Sequence, residues 1–338
     1  MLRLFQSIFA KESDETGPYP AELVAQAIDR AVDGTDPRLR ALSGYRRRLR
    51  PAVIRAIDYV VELVRVMPSP AELTRRGYSA DPRVAAVFAS VEHMREVLAR
   101  DPALTAFRQR SGVSFASRAY ALLVMEKYEK KVFGMELQGD LVQREVARVS
   151  VNFTHHRLMD PAIDQDEFRH LLMRRAFDNL LTVALARLTQ ADELRAGLKR
   201  QRQALDRKLK LLAAGQWAFE PGAPAALPDP LAIEARLAAI DQQLHALPPD
   251  TETLSAHLDI VVDALSTPSA QIWVAGVPHV IDRMGIKRDR PGARDLAFDL
   301  GELRSASGQE VYLLPVSIVP SELPPPVDFF AEATRYLG

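Results

Sequence analysis

The stretch of sequence that decides the fold spans residues 168–212 and reads FRHLLMRRAFDNLLTVALARLTQADELRAGLKRQRQALDRKLKLL. It contains no proline, and its one glycine, Gly197, costs a helix about 1 kcal/mol relative to alanine. The acidic residues just before it, at 164–167, suit the positive end of a helix dipole. The stretch predicts a single helix of 45 residues, about 68 Å long at roughly 1.5 Å per residue.

A second, shorter helix is expected to return along the distal half of the first. After Leu188 the apolar positions narrow to one stripe, formed by Leu194, Leu198, Leu205, Leu209 and Leu212. Residues 231–247 place apolar side chains at alternating spacings of four and three, at Ile233, Leu237, Ile240, Leu244 and Leu247. Stripes this narrow are typical of coiled coils. Because the glycine- and proline-rich residues 215–230 cannot continue either helix, the pattern predicts an antiparallel helical hairpin that stands clear of the globular body.

The charges of the two arms favour the same pairing. Residues 191–213 carry seven bases and three acids, whereas residues 229–250 carry four acids and one base. A basic arm folded onto an acidic arm accounts for this Lys/Arg run. The alternative interpretation is a basic arm that binds nucleic acid, for which the charge should stay unneutralised.

The totals exclude several classes of protein. The 338 residues allow two or three domains, and the net charge of zero favours no class of partner. The absence of cysteine excludes disulfides, thiolate nucleophiles and Cys-ligated metal centres, and it fits a reducing compartment. No apolar run is long enough for a transmembrane helix, and residues 1–10 lack the features of a secretion signal. We therefore expect a cytoplasmic protein.

The N-terminal third is predicted to be a small helical bundle. Pro20 suits the first turn of a helix, and apolar residues at helical spacing follow at 53–64. Shorter helices are expected at 82–89, at 90–98 and from Pro102, and a short amphipathic helix at 2–9.

The remaining segments mix helix and strand. Residues 114–131 are predicted as a helix, and alternation at 133–137 and 147–153 predicts a β-hairpin that turns near Gly139-Asp140. A helix is expected at 253–265, followed by strands at 271–274 and 279–284 that residues 276–278 interrupt. Strands near 296–300 and 311–319 are expected on either side of a turn at 305–308. A triple proline at 324–326 and a helix at 329–337 end the pattern.

These elements define an α+β fold that is mainly α. It combines an N-terminal helical bundle, a long antiparallel helical hairpin and a small antiparallel sheet built from the central β-hairpin and a C-terminal meander. The predicted division of the chain is 1–112, 113–167, 168–250 and 251–338.

One basic cluster lacks acidic residues nearby in the sequence. Seven arginines and no acid lie between Arg38 and Arg55. The candidate anion- or partner-binding residues are Arg46, Arg47, Arg48 and Arg50. Arginine suits phosphate or carboxylate, so the functional interpretation is nucleic acid, an acidic protein surface or an anionic membrane. The structural interpretation is that acids elsewhere in the fold neutralise the cluster.

Catalytic chemistry has little support in the sequence. Glu167 and His170 lie three residues apart, half of the pattern that di-iron bundles use, and the chain has no second Glu-x-x-His. Glu167 and His170 are therefore weak metal candidates. His155 and His156 are adjacent, so on a strand they point to opposite faces and cannot readily share one metal. Phosphate-loop, nucleophile-elbow and His-Glu-x-x-His motifs are missing. We predict no catalytic residue and no cofactor.

The sequence favours a non-catalytic interaction or scaffold protein that engages a protein partner through the helical hairpin or the small sheet. A homo-oligomer is one form of this hypothesis. The alternatives are a peripheral binder of an anionic partner through the arginine cluster, and an enzyme whose site is dispersed in sequence, with His155, Glu167 and His170 converging on a pocket.

Overall fold

The structure is a computed structural model that describes residues 19–111, 118–138, 141–214, 229–292, 295–306, 308–319 and 322. The segments predicted at 2–9, 139–140, 324–326 and 329–337 lie outside the described residues. The chain forms two compact units. The first takes its described residues from Ile57–Asn179 and Pro268–Gly338, and the second from Glu12–Ala56 and Leu180–Thr267.

The long helices follow the periodicity of the sequence. They are α1 (Ala21–Asp33), α2 (Tyr45–Arg65), α7 (Gln165–Ala213), α8 (Pro230–Ala246) and α9 (Thr253–Ser266). The predicted 45-residue helix is confirmed and extends to 49 residues. Asp229 is the N-cap of α8, since its carboxylate accepts a hydrogen bond from the Leu231 amide at 3.0 Å.

Shorter helices belong to the first unit: α3 (Arg75–Ala80), α4 (Pro82–Val87), α5 (Val91–Arg100), α6 (Pro102–Ser111) and α10 (Pro268–Gln271). Thr74, Asp81 and Ser90 cap the first three, since each side chain accepts a hydrogen bond from an amide two or three residues ahead. The short helices predicted at 82–89, at 90–98 and from Pro102 are confirmed.

Six strands of the described residues form one sheet: β1 (Ala71–Leu73), β2 (Ala119–Gln138), β3 (Leu141–Ala162), β4 (Ile272–Ile281), β5 (Leu296–Ser305) and β6 (Glu310–Ile318). Their order is β3-β2-β6-β5-β4 with antiparallel pairing. The short β1 runs parallel to the end of β6. The predicted β-hairpin and C-terminal meander are thus parts of a single sheet.

The core of the first unit lies between the short helices and one face of this sheet. Val84, Phe88 and Leu98 from the helices are buried with Leu123 and Leu314 from the central strands. Burial of these apolar side chains between the helices and the sheet holds the two layers together.

The helix predicted at 114–131 is wrong where the structure describes it. β2 begins at Ala119 and continues to Gln138. Residues 121–125 are all buried, so side chains on both faces of the strand are apolar. A strand that is buried on both faces shows no alternation, and its composition cannot be distinguished from that of a buried helix.

Two further predictions on strands are corrected. Residues 276–278 do not break the C-terminal strand, because β4 is continuous through Pro278. β4 lies at the edge of the sheet, where a proline without an N–H can be tolerated. The parallel strand β1 was not predicted, since three residues are too few to show a period.

β3 is bent by three bulges, whereas β2 opposite it keeps a regular course. At each register shift, β3 holds one residue more than β2. The extra positions coincide with Glu145, His155 and Asp160, whose φ angles of 62°, 54° and 51° lie in the left-handed region. Bulges of this kind increase local twist and redirect neighbouring side chains.

Candidate functional site

Ion pairs close the helical hairpin of α7 and α8. Arg202 Nε lies 2.5 Å from Asp241 Oδ1. Lys199 Nζ and Arg195 Nη1 lie 2.7 and 3.0 Å from carboxylate oxygens of Asp250, just beyond α8, and together they lower the pKa of that carboxyl. Because partner numbers fall as α7 residue numbers rise, the two arms are antiparallel. The predicted match of a basic arm with an acidic arm is confirmed for Arg195, Lys199 and Arg202.

The apolar seam of the hairpin is only partly covered. Leu198, Ile233 and Ile240 are buried. Six more positions of the two stripes are half-buried: Leu205, Leu209, Leu212, Leu237, Leu244 and Leu247. Three further leucines face solvent, with exposed fractions of 55% for Leu194, 46% for Leu211 and 73% for Leu231. The hairpin therefore leaves apolar surface in water.

Two arginines on α7 are not neutralised by α8. Arg200 and Arg207 are exposed and make no hydrogen bond or ion pair with any described residue. They share one helix face with Ala204 and Leu211, since the spacing from 200 to 211 is four, three and four. We call these four exposed residues the outer stripe of α7.

A network of hydrogen-bonded ionisable groups, centred on the buried His257 and Asp36, lies in the second unit. His257 is buried, with Nδ1 3.0 Å from Asp36 Oδ2 and Nε2 3.1 Å from Asp192 Oδ1. Arg38 forms two hydrogen bonds of 2.9 Å with the Asp36 carboxylate and lowers its pKa to about 2. The network joins α9, α7 and the turn that follows α1 through groups that are already paired, so it stabilises the unit.

The arginine cluster is largely neutralised within the second unit. Four of its seven members form ion pairs: Arg38–Asp36, Arg40–Asp33, Arg46–Asp29 and Arg48–Asp259. Arg47 and Arg55 are exposed and have no such partner among the described residues, and Arg50 is half-buried. The assignment of Arg46, Arg47, Arg48 and Arg50 to an anionic partner stays a prediction, with Arg46 and Arg48 already bound to carboxylates.

Glu167 takes part in the start of α7. Its side chain accepts a hydrogen bond from the Ile163 amide at 3.1 Å, and Asp164 accepts one from the Glu167 amide at 2.7 Å. This reciprocal arrangement is a capping box. His170 is buried one turn further on. The role of the acids at 164–167 as helix-start residues is confirmed.

The two adjacent histidines have separate surroundings. His155 is exposed, with Nδ1 3.3 Å from Glu126 Oε2. His156 stacks on Phe88 and donates from Nε2 to the Val87 carbonyl at 3.0 Å. Burial lowers the pKa of His156, which favours the neutral imidazole. Within the described part of the chain, no three His, Asp or Glu side chains are placed to hold a metal ion.

The sequence analysis missed a buried polar cluster on the sheet. The ring of His279 lies 5.5–6.0 Å, between centroids, from the rings of Phe298, Tyr312 and Phe153. His279 Nε2 has no hydrogen-bond partner among the described residues, whereas Tyr312 interacts with Lys127. Burial and then nearby Lys127 lower the pKa of His279. A protonated His279 would be a buried charge without an acceptor.

The first unit contains a cavity of about 190 Å³. Its wall is mostly apolar, with Val61, Phe168 and Pro315 among the lining residues. Arg65 and Arg169 also line it, and each has an acidic partner within α2 or α7. The catalytic candidates His155, Glu167 and His170 do not line this cavity.

The fold and the surfaces above define an α+β, mainly helical protein with a paired helical hairpin. Comparison with protein-family models, with curated proteins and with solved structures finds no match. None of the described helices has the length and apolar character needed to cross a membrane.

Proposed function

We propose that this chain is a non-catalytic interaction or scaffold protein of the cytoplasm, and that its α7–α8 hairpin binds a helix of a partner protein as a coiled coil. The observation that carries the proposal is the incomplete cover of the hairpin, which leaves half-buried seam leucines and exposed Leu194, Leu211 and Leu231. A partner helix that covers these leucines would remove their apolar surface from water.

The outer stripe of α7 supports a helix as the partner element. Arg200, Ala204, Arg207 and Leu211 have the spacing of a coiled-coil face. Covering Leu211, which is 46% exposed, would stabilise the complex by about 1 kcal/mol, on the basis of roughly 1.5–3 kcal/mol for a fully buried leucine. The small Ala204 between the arginines permits close approach of a second helix.

Charge supports an acidic partner helix. The bases of α7 that face α8 are paired with Asp241 and Asp250, but Arg200 and Arg207 are not. Acidic side chains seven residues apart on the partner would lie opposite both arginines. Exposed ion pairs of this kind contribute about 0.2–1 kcal/mol each, and like charges on the wrong partners would oppose binding.

A paired set of charge reversals tests the proposal. The tagged full-length protein captures partners from its own cells, and captured proteins are quantified by mass spectrometry. Arg200→Glu/Arg207→Glu should reduce capture of a helical partner about tenfold or more. Arg47→Glu/Arg55→Glu makes the same charge change at two other exposed, unpaired arginines and should leave capture unchanged.

Removal of residues 201–237, with the ends joined by a short linker, should abolish capture while the remaining helices and sheet stay folded by circular dichroism. Unchanged capture by the deletion variant would contradict the proposal. Loss of capture in the Arg47/Arg55 variant alone would instead favour the alternative of an anionic partner bound by the arginine cluster.

A further inference from the structure

No described strand pairs with the outer edge of β2 over much of its length. β3 pairs with one edge of β2 from Tyr120 to Gln138. On the other edge, β6 pairs with β2 only from Ala119 to Met125. In the part of the chain that the structure describes, no backbone hydrogen bond reaches that edge over residues 126–134. About half of the amide and carbonyl groups in this run therefore have no backbone partner among the described residues.

The strand pairing along this run of β2 is regular. The register with β3 is constant from Glu126↔Thr154 to Gly134↔Val146, a length of about 30 Å at roughly 3.3 Å per residue. The bulges that bend the hairpin lie on β3, so they do not blunt the edge of β2. Residues 126–134 also contain no proline. Bulges and prolines often protect the free edge of a sheet, because an unprotected edge offers a template for another strand.

The side chains along the edge are apolar, basic and acidic, and both acids, Glu126 and Glu129, lie next to a basic partner, His155 and Lys127 respectively. Tyr128 and Phe133 have exposed fractions of 57% and 75%. Lys127 is paired with Glu129 at 3.1 Å. Lys130 and Lys131 are exposed and make no ion pair or hydrogen bond with a described residue. Because they are adjacent on a strand, they point to opposite faces of the ribbon.

We propose that the edge of β2 over residues 126–134 takes up an extended acidic segment of a partner protein as an added strand. The backbone groups of β2 supply the hydrogen bonds, and the side chains opposite Lys130 and Lys131 supply the selectivity. Acidic side chains at two adjacent positions reach both lysines, one on each face. Apolar positions beside them cover Tyr128 and Phe133.

A second copy of β2 centred on Lys130 fits this edge less well. Two strands related by a two-fold axis place one residue opposite itself, and centring the pair on Lys130 opposes two lysines. In that register the second copy would also continue past Gly134 to Gln138 and meet β6, which occupies the edge at Met125. A short separate segment avoids both conflicts.

The test uses two synthetic peptides and the full-length protein. The acidic probe is Thr-Val-Thr-Glu-Glu-Val-Thr-Val-Thr, and its control carries two lysines in place of the glutamates. In an amide NMR titration, the acidic peptide should shift signals of residues 126–134 and bind about tenfold more tightly than its control. Lys130→Glu/Lys131→Glu should reverse this preference, whereas the Arg200→Glu/Arg207→Glu variant should keep it.

Three outcomes would overturn the inference: signals that shift outside β2, a preference that does not reverse, or no binding of either peptide at millimolar concentration. The last result would mean that Lys130 and Lys131 only guard the edge against association. Neither lysine has a partner in the described chain, so the reversed variant should keep the melting temperature of the wild type. The proposed function of the hairpin is unaffected by any of these results.

Discussion

Replacing Asp36 with asparagine should destabilise the protein at neutral pH and flatten its acid sensitivity. The buried Asp36 carboxylate accepts hydrogen bonds from the Arg38 amide and guanidinium, and it lies 3.0 Å from His257 Nδ1. These hydrogen bonds favour the ionised form of Asp36, and the one from the Arg38 guanidinium is the largest cause of its lowered pKa. Asparagine keeps an oxygen for the Arg38 amide but removes the negative charge.

The size of the effect follows from the lowered pKa. Asp36 titrates at about 2 in the folded protein against 3.8 ordinarily. Each pH unit between the two values corresponds to about 1.4 kcal/mol, and screening at the exposed Arg38 reduces the total to about 1–2 kcal/mol. Because the folded pKa is the lower one, this stability is fully present above pH 3.8 and is lost as the pH falls towards 2.

Urea unfolding of the two proteins, followed by circular dichroism at pH 7, 4 and 3, measures this difference. The free-energy gap between wild type and Asp36→Asn should be about 1–2 kcal/mol at pH 7 and should narrow by about half at pH 3. Asp36→Ala should lose about 1 kcal/mol more, because the cap is removed as well. A gap that stays constant from pH 7 to 3 would refute the electrostatic explanation of the network.

Further predictions concern the sheet, the glycines and the arginine cluster. Because the pKa of His279 is lowered in the folded state, the free energy of unfolding should fall as the pH drops below 6.5. In urea unfolding, the His279→Phe variant should lose less of this free energy between pH 7 and 5 than the wild type. An equal loss in the two proteins would contradict this. Gly77→Ala should cost about 3 kcal/mol or more, since its Cβ would lie 1.9 Å from the Glu72 carbonyl oxygen. Gly197→Ala should stabilise the protein by about 1 kcal/mol through its higher helix propensity, since the added carbon meets nothing within 4 Å. Thermal melts in which Gly77→Ala is more stable than Gly197→Ala would contradict the packing described here. If the cluster binds anions, vesicle and duplex binding should weaken steeply between two salt concentrations and disappear on changing four residues to glutamate, namely Arg46, Arg47, Arg48 and Arg50.

The helical part of the fold could be predicted because its period is visible in the sequence. The stripes around Leu198 and Ile240 mark one face of each arm, and caps such as Ser90 and Asp229 mark where helices begin. β2 could not be predicted in the same way. Its residues 121–125 are apolar on both faces because β3 and β6 flank the strand and other elements cover it.

The candidate surfaces could be predicted only in part. Charge counting along the chain anticipated the pairing of the two arms. It could not show that Arg48 is neutralised by Asp259, because that pair is separated by 211 residues in sequence. The same limit hid the Asp36–His257–Asp192 network, which joins three separate segments.

His279 and the open edge of β2 had no sequence signal at all. A single histidine in an apolar strand is ordinary, and only the fold shows that its Nε2 is buried without a partner among the described residues. The open edge depends on where β6 begins relative to Met125, which is a matter of register rather than composition. The position of Tyr128 and Phe133 beside the open edge can be recognised only once that register is known.

The antiparallel pairing of α7 and α8 within one chain is the claim on which the proposed partner surface depends. The absence of cysteine makes it directly testable, because introduced thiols are the only ones present. Cysteines at Arg202 and Asp241, which are in contact, should be joined by a short bis-maleimide. The control protein carries cysteines at Arg202 and Leu231. This places the second thiol about 15 Å further along α8, at roughly 1.5 Å per residue.

The measurement is the rate and product of cross-linking on a denaturing gel. The structure predicts rapid cross-linking of the Arg202→Cys/Asp241→Cys protein as a monomer and slow cross-linking of the Arg202→Cys/Leu231→Cys protein. Cross-linked dimers as the main product, or faster reaction of the control pair, would contradict the hairpin.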